Sequence, residues 1–435
     1  MSGNFGFGPA DDSGDDSGKN VPNFEALFQQ FANFGISPQT LFNSGTGNNP
    51  LIAVETIREI ARKFLATQNE EFVGTNDSAQ MREALDIANT WIDDVTFFPA
   101  SVQTVQPAWS RRDWLDSSLS GWQKLVEPLA EGMATALTNL IKESGSGFGG
   151  ELQLPDGMQP TAEMLQGIGL LLRSFMGSMI ATQLGQSIGL LSTTVTGSHD
   201  VAIPLFSKFE SHLIPQNVTA WGQGLDLPES EVRIYLALRE AAAARLFSHT
   251  PWLSQYINDS FAAYGKGIRV DIAAIQEQAE SAVNSGELDI NNPESISSAM
   301  TQGLFTPEQS PEQDAALARL EMILALIEGW IDQVVTRAAT DRLPSLPALS
   351  ESLRRRRASN SPTQQLFASL LGLEVSPRLM RECSTFWAQV QEAHDIDFRD
   401  QRWEDPALLP TEADLDDVLK FLASTTVPDD LSGLI

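Results

Sequence analysis

Cysteine is almost missing from this chain: Cys383 stands alone among 435 residues. No intramolecular disulfide and no thiolate metal cluster can form from one thiol, and such usage fits a reducing compartment. Histidine is nearly as scarce, with only His199, His212, His249 and His394. A hydrolytic zinc site draws two or three imidazoles from its chain, so there is little here to build one from. Bases are outnumbered too, 28 Lys and Arg against 57 Asp and Glu, for a formal net charge of −29. That balance repels phosphate backbones and anionic lipid and argues against a nucleic-acid partner.

Long apolar runs are also lacking. The most apolar stretch, 164–192, is interrupted by Arg173, Gln183 and Gln186, and its glycines and serines recur at helical spacing. Small residues at that spacing allow close helix packing, and the stretch reads as a buried core helix, not a membrane span. The first residues are acidic and glycine-rich, without the basic and apolar regions of a secretory signal. The expected location is cytoplasmic. Strand-type alternation of useful length, a 20–50-residue repeat and a GxSxG elbow are all missing. The glycine-rich 144–150 lacks the lysine and hydroxyl of a phosphate-binding loop and follows a helix, so it is no phosphate cradle.

What is present is helical periodicity. Residues 24–34, 51–67, 78–95, 111–142, 164–192, 227–250, 271–285, 306–343, 363–371, 377–393 and 411–423 read as helices, with Pro128 expected to kink or split the fourth. Residues 193–207 read as a linker and 252–267 as a packed connection. The fold class is all-α, with at most one short extended piece at 287–290. Residues 1–21 read as a disordered acidic tail, 22–150 as an N-terminal helical region, and 151–435 as the helical core with C-terminal helices.

The stretch 227–250 organises the rest. Pro228 and the acids Glu229 and Glu231 mark its start, and about twenty residues follow without a breaker. Ile234, Tyr235, Leu236, Leu238, Leu246 and Phe247 surround its axis, so it is buried on most sides. Glu240 interrupts that surface, and a carboxylate among apolar neighbours needs a partner or a purpose. An ion pair with Arg233 or Arg239 is one answer. On the second long helix, Glu321, Glu328 and Asp332 line a single strip. Four arginines at 354–357 read as a solvated face that neutralises acids nearby. Cys383, with no histidine near it in sequence, reads as a buried structural thiol.

The metal-binding HExxH pattern sets two imidazoles one helical turn apart, with the glutamate polarising a metal-bound water. This chain has Arg239, Glu240 and Ala243 at the pattern's positions, so the glutamate is in place and both imidazoles are missing. His249 lies six residues beyond Ala243, the spacing of a third histidine in the extended pattern. The blocks LALREAAAARLFSHTPWL (236–253), LARLEMILALIEGWIDQVV (317–335), LRRRRASNSPTQQLFASLLGLEVSPRLMRE (353–382) and HDVAIPLFS (199–207) resemble the bacterial zincin-like family of zinc metallohydrolases and metalloproteases. The resemblance spans most of the chain. It implies a largely helical fold, a zinc cofactor and hydrolase or peptidase activity, with Glu240 as general base and His249 and Glu328 as metal ligands. The same resemblance leads one to expect histidines where Arg239, Ala243 and Gln333 stand.

Two functions follow. The first is a metal-dependent hydrolase with an altered site, built from Glu240, His249, Glu328 and His212, with activity weakened, changed or lost. The second is a catalytically silent helical module that binds a protein or peptide partner. A guanidinium at position 239 repels a zinc ion, which favours the second. An apolar-ligand role for the 164–192 helix is a third, minor reading.

Overall fold

A computed structural model describes residues 50–143, 162–268, 310–358, 366 and 377–425. The readings at 1–21, 24–34, 144–150, 271–285 and 287–290 fall outside the described residues, as does 363–371 apart from residue 366. Among the described residues the chain is all-α, with thirteen α-helices and one 3₁₀ turn. Extended structure among the described residues is limited to two isolated bridges, Ala108 to Leu213 and Gly197 to Leu213.

The first helices are α1 (Val54–Leu65), α2 (Thr75–Ile92), α3 (Arg111–Glu143) and α4 (Ala162–Ser192). Pro128 lies inside α3 without splitting it. Helices packed along α3 hold it continuous, since it lies against α1, α4 and α7 (Trp252–Gly267). Residues 252–267 are thus a full helix and not only a connection. The small residues of α4 do what their spacing implies: Gly177 lies against Leu51, Gly185 against Ile60 and Gly189 against Phe64. Among the described residues no helix is long and apolar enough to cross a membrane.

Helix α5 (Pro215–Gly222) leads into α6 (Glu229–His249), the motif helix. Every residue of α6 from Tyr235 to Phe247 is buried, because α2, α5 and α8 (Pro311–Ala339) pack around it. Helix α8 begins on a capping box, in which Ser310 accepts from the Gln313 N–H and the Gln313 side chain accepts from the Ser310 N–H. It packs on α6, α7 and α10 (Pro377–Ala393). Helix α9 (Leu346–Ala358) carries the arginine run. The chain then adds α11 (Ile396–Gln401), a 3₁₀ turn, α12 (Glu412–Leu415) and α13 (Val418–Thr425), so the stretch expected as one helix at 411–423 is two. One hydrophobic core runs through all of this, with Trp114, Trp122, Trp330, Trp387 and Trp403 fully buried.

Candidate functional site

The segment 193–214 is the part that helical patterning misjudged. It folds into a buried corner against α6, with no helix or strand of its own to satisfy its backbone. Its peptide groups pair with one another and with 107–109: Ser198 N donates to His212 O (3.0 Å), Ile214 N to Thr196 O (2.9 Å) and Trp109 N to Leu213 O (2.9 Å). Buried peptide groups must find such partners. Ala202, in the same corner, is a non-glycine residue at φ 58°, a left-handed conformation that surrounding structure must hold in place.

Glu240 projects from α6 into this corner and is the hub of its hydrogen bonds. Ser198 Oγ donates to Oε1, His199 Nδ1 lies 2.7 Å from Oε1, His199 N donates to Oε2 (2.9 Å) and His212 N to Oε1 (3.2 Å). Burial pushes the carboxyl upward, yet the adjacent His199 and the hydrogen bonds from His199 and Ser198 outweigh it and hold Glu240 below its ordinary value. Gly197 makes the approach feasible. A Cβ there would sit 2.8 Å from both the Glu240 carboxyl carbon and His212 O. The ion pair expected between Glu240 and Arg233 or Arg239 is not formed. Glu240 pairs with His199, and Arg233 reaches Glu229 one turn back, at 3.6 Å.

Arg239 turns the other way, toward α8. Its Nη2 donates to Glu328 Oε2 at 2.7 Å, and Arg357 of α9 donates to the same oxygen. Both partners of the 2.7 Å pair are nearly buried, at 9% and 11% side-chain exposure, so this is an interior ion pair and not a surface one. Burial alone would raise the Glu328 carboxyl, but Arg357 and Arg239 together hold it below its usual range. Burial likewise opposes the Arg239 charge, yet Glu328 beside it raises the guanidinium further above its already high value. Arg357 also approaches Asp200 Oδ1 (3.8 Å), and Asp200 Oδ2 is fixed by Thr196 N (2.8 Å) and Thr196 Oγ1 (3.0 Å). The arginine run is therefore only partly a solvated face. Arg355 pairs with Glu351 on the surface, whereas Arg357 is turned inward.

The remaining sequence-predicted residues lie apart from this cluster. His249 is at the last turn of α6, with Nδ1 2.9 Å from Arg245 O and its ring stacked on Phe98. It is nine residues beyond Glu240, and its contacts are on the side of α6 that meets residues 89–98. Glu240 and Glu328 share one small cavity, which His249 does not line. His212 stacks on Trp109 (3.7 Å between ring centres) and places Nδ1 3.0 Å from Glu210 O. Burial drops its pKa to about 4. Gln333 donates to Gln391 (2.7 Å) and accepts from Arg399. Cys383 is buried, its thiol pushed up to about 12 by burial. The residue that sequence reasoning missed is His199. Its only signal was that HDVAIPLFS, one of the resembling blocks, begins with it.

The chain matches the family described as Zincin-like metallopeptidase over residues 52–422. It belongs to that family. The structure is also similar to a solved one from Chloroflexus aurantiacus, described as "a putative hydrolase with a novel fold", with TM-score 0.55 and 17% identity over 86% of this chain and 98% of that one. At that identity the likeness establishes the fold alone. No curated protein matches the sequence.

The family name implies zinc, and the residues of this zincin-like chain do not fit it. Among the described residues no group of three or more His, Cys, Asp and Glu side chains is arranged to hold a metal ion. Glu240 spends both carboxylate oxygens on protein donors. Glu328 faces two guanidinium groups, whose fixed positive charge occupies the space where a cation would have to approach.

Proposed function

We propose that this chain is a zincin-like protein in which the hydrolytic zinc centre is replaced by a fixed ionic cluster, and that its role is to bind a protein or peptide partner. The observation that carries the reading is the buried Arg239–Glu328 pair, 2.7 Å long and reinforced by Arg357. Arg239 holds the first imidazole position of the HExxH pattern, and Glu328 was the best candidate carboxylate ligand. Their mutual neutralisation leaves neither free for a metal. Glu240, the general base of the pattern, acts instead as the acceptor that closes the 193–214 corner, which supports a structural role for it.

The test is metal content, measured by elemental analysis after exposure to Zn²⁺ and dialysis. The expected result is no stoichiometric zinc in the wild type. Arg239→His combined with Ala243→His restores the pattern's two imidazoles and should raise zinc uptake, since metal affinity follows ligand identity and count. About one zinc per wild-type chain, accompanied by peptide hydrolysis abolished in Glu240→Gln, overturns the proposal in favour of an altered hydrolase.

A further inference from the structure

We infer that the cavity beside Glu240 is a guanidinium-binding site, and that the chain's own Arg357 occupies it as an internal plug that an arginine side chain of the partner would displace. This deepens the binding reading above, and rests on it, by naming the chemistry recognised.

The cavity lies between α6, α8, α9 and the 193–214 corner, and has a volume of about 10 Å³. That is room for roughly one water-sized sphere beside Arg357, too little to admit a second side chain while Arg357 is in place. Its polar wall is built to hold a flat cation. Glu328 presents Oε2 from one side and Asp200 presents Oδ1 from another, and Arg357 spans the two. Asp200 is aimed by Thr196, and Glu328 is held by Arg239, so both acceptors stay in place when the plug leaves. Leu236 and Ile331 supply apolar surface beside them. A planar fork of donors meets two carboxylates at once, whereas an ammonium is a point charge and satisfies one.

The same wall holds one more buried polar atom. His199 lines the cavity with a side chain that is fully buried, and its Nε2 has no hydrogen-bond partner. Its Nδ1 is committed to Glu240, and its ring packs among Phe206, Phe209 and Phe247. Buried polar atoms rarely stay unpaired.

Arg357 differs from the other charged wall groups in how it is held. Arg239, Glu240 and Glu328 project from the middles of buried helices, while Arg357 is in the last turn of α9, next to its final residue Ala358. Its neighbour Arg356 lies over the Trp221 ring (4.5 Å) and donates to Trp221 O (2.5 Å). The end of α9 is therefore fastened by polar contacts at 356 and 357, which another guanidinium can exchange for its own. Withdrawing Arg357 leaves Glu328 and Asp200 with Arg239 alone, a net excess of negative charge in the space Arg357 held.

The experiment uses the full chain with Arg357→Gln and follows binding of Nα-acetyl-arginine amide and Nα-acetyl-lysine amide by calorimetry. The expected result is arginine-analogue binding to the variant at least tenfold tighter than to wild type, and at least tenfold tighter than the lysine analogue. Loss of that binding on adding Asp200→Asn places the ligand in the cavity. A folded Arg357→Gln chain that binds neither analogue, or both alike, overturns the proposal, as does equal binding by wild type. If Arg357→Gln does not fold unaided, the readout is the thermal transition in the presence of each analogue. Recovery with the arginine analogue and not the lysine one supports the plug, and recovery with neither overturns it. Zinc content and arginine binding are separate measurements, so failure of this inference is distinguishable from failure of the zinc-free reading.

Discussion

Glu240 is a single carboxylate asked to satisfy donors from three residues. Both its oxygens accept, and the donors that reach them, Ser198 Oγ, His199 N, His199 Nδ1 and His212 N, come from one corner of the chain. An acceptor in that position cannot be exchanged for an amide without setting its NH₂ against other donors. Removing one partner of such a buried, charged network costs far more than the net worth of a hydrogen bond. Glu240→Gln is therefore expected to lower the stability of the fold by about 3 kcal/mol, read as a shift in the urea midpoint with unchanged slope. A catalytic base with no structural load would show the opposite, a near-normal midpoint. Gly197 belongs to the same argument, because the carboxylate can reach the corner only where that position lacks a Cβ.

At the level of helices, α6 and α8 were the most readable parts of the chain, and for one reason. Each is long and apolar around most of its girth, so burial follows from pattern alone. The cap of α8 can be tested directly. Ser310 accepts from Gln313 N and also donates to Gly267 O (3.0 Å), tying α8 to the end of α7. Ser310→Ala should cost about 1–2 kcal/mol, seen as a lower melting temperature. What pattern could not supply was the direction of each polar residue. Arg239 and Glu240 are neighbours in sequence, and one hundred degrees of helical turn sends one to α8 and the other to the 193–214 corner. That corner has no periodicity for sequence reasoning to detect, so His199 was invisible there. His249 had the right spacing in the chain, but as the last residue of α6 it faces Phe98 and Arg245 O instead of the cavity. The inward turn of Arg357 was equally hidden, since a run of four arginines carries no mark of which one is buried.

For the molecule as a whole, acid weakens the fold before the carboxylates titrate. Burial holds His212 at about 4 in the folded chain, against 6.5 for a free imidazole, although Glu240 and Glu210 pull it upward. The unfolded chain thus takes up this proton at higher pH than the folded one. Stability is full above pH 6.5 and falls as pH drops toward 4, by up to about 3 kcal/mol from this group. Below about 4.5, Glu240 and Glu328, whose carboxyls are held low in the fold, add their own loss. Denaturant titrations at pH 7.5 and 5.0 should differ accordingly, and His212→Gln should shrink the difference. A curve flat across that interval would show that the ring against Trp109 protonates freely in place.

The lone thiol gives the molecule one more property. Cys383 lies where α8 and α10 cross, against Gly329, with its sulfur sealed from solvent. A thiol held near 12 is almost entirely protonated at neutral pH, and so unreactive toward alkylating reagents. Each alkylation event then records a moment when those two helices part. The chain carries a single chemical stopwatch for the opening of its core, with no second cysteine to confuse the reading.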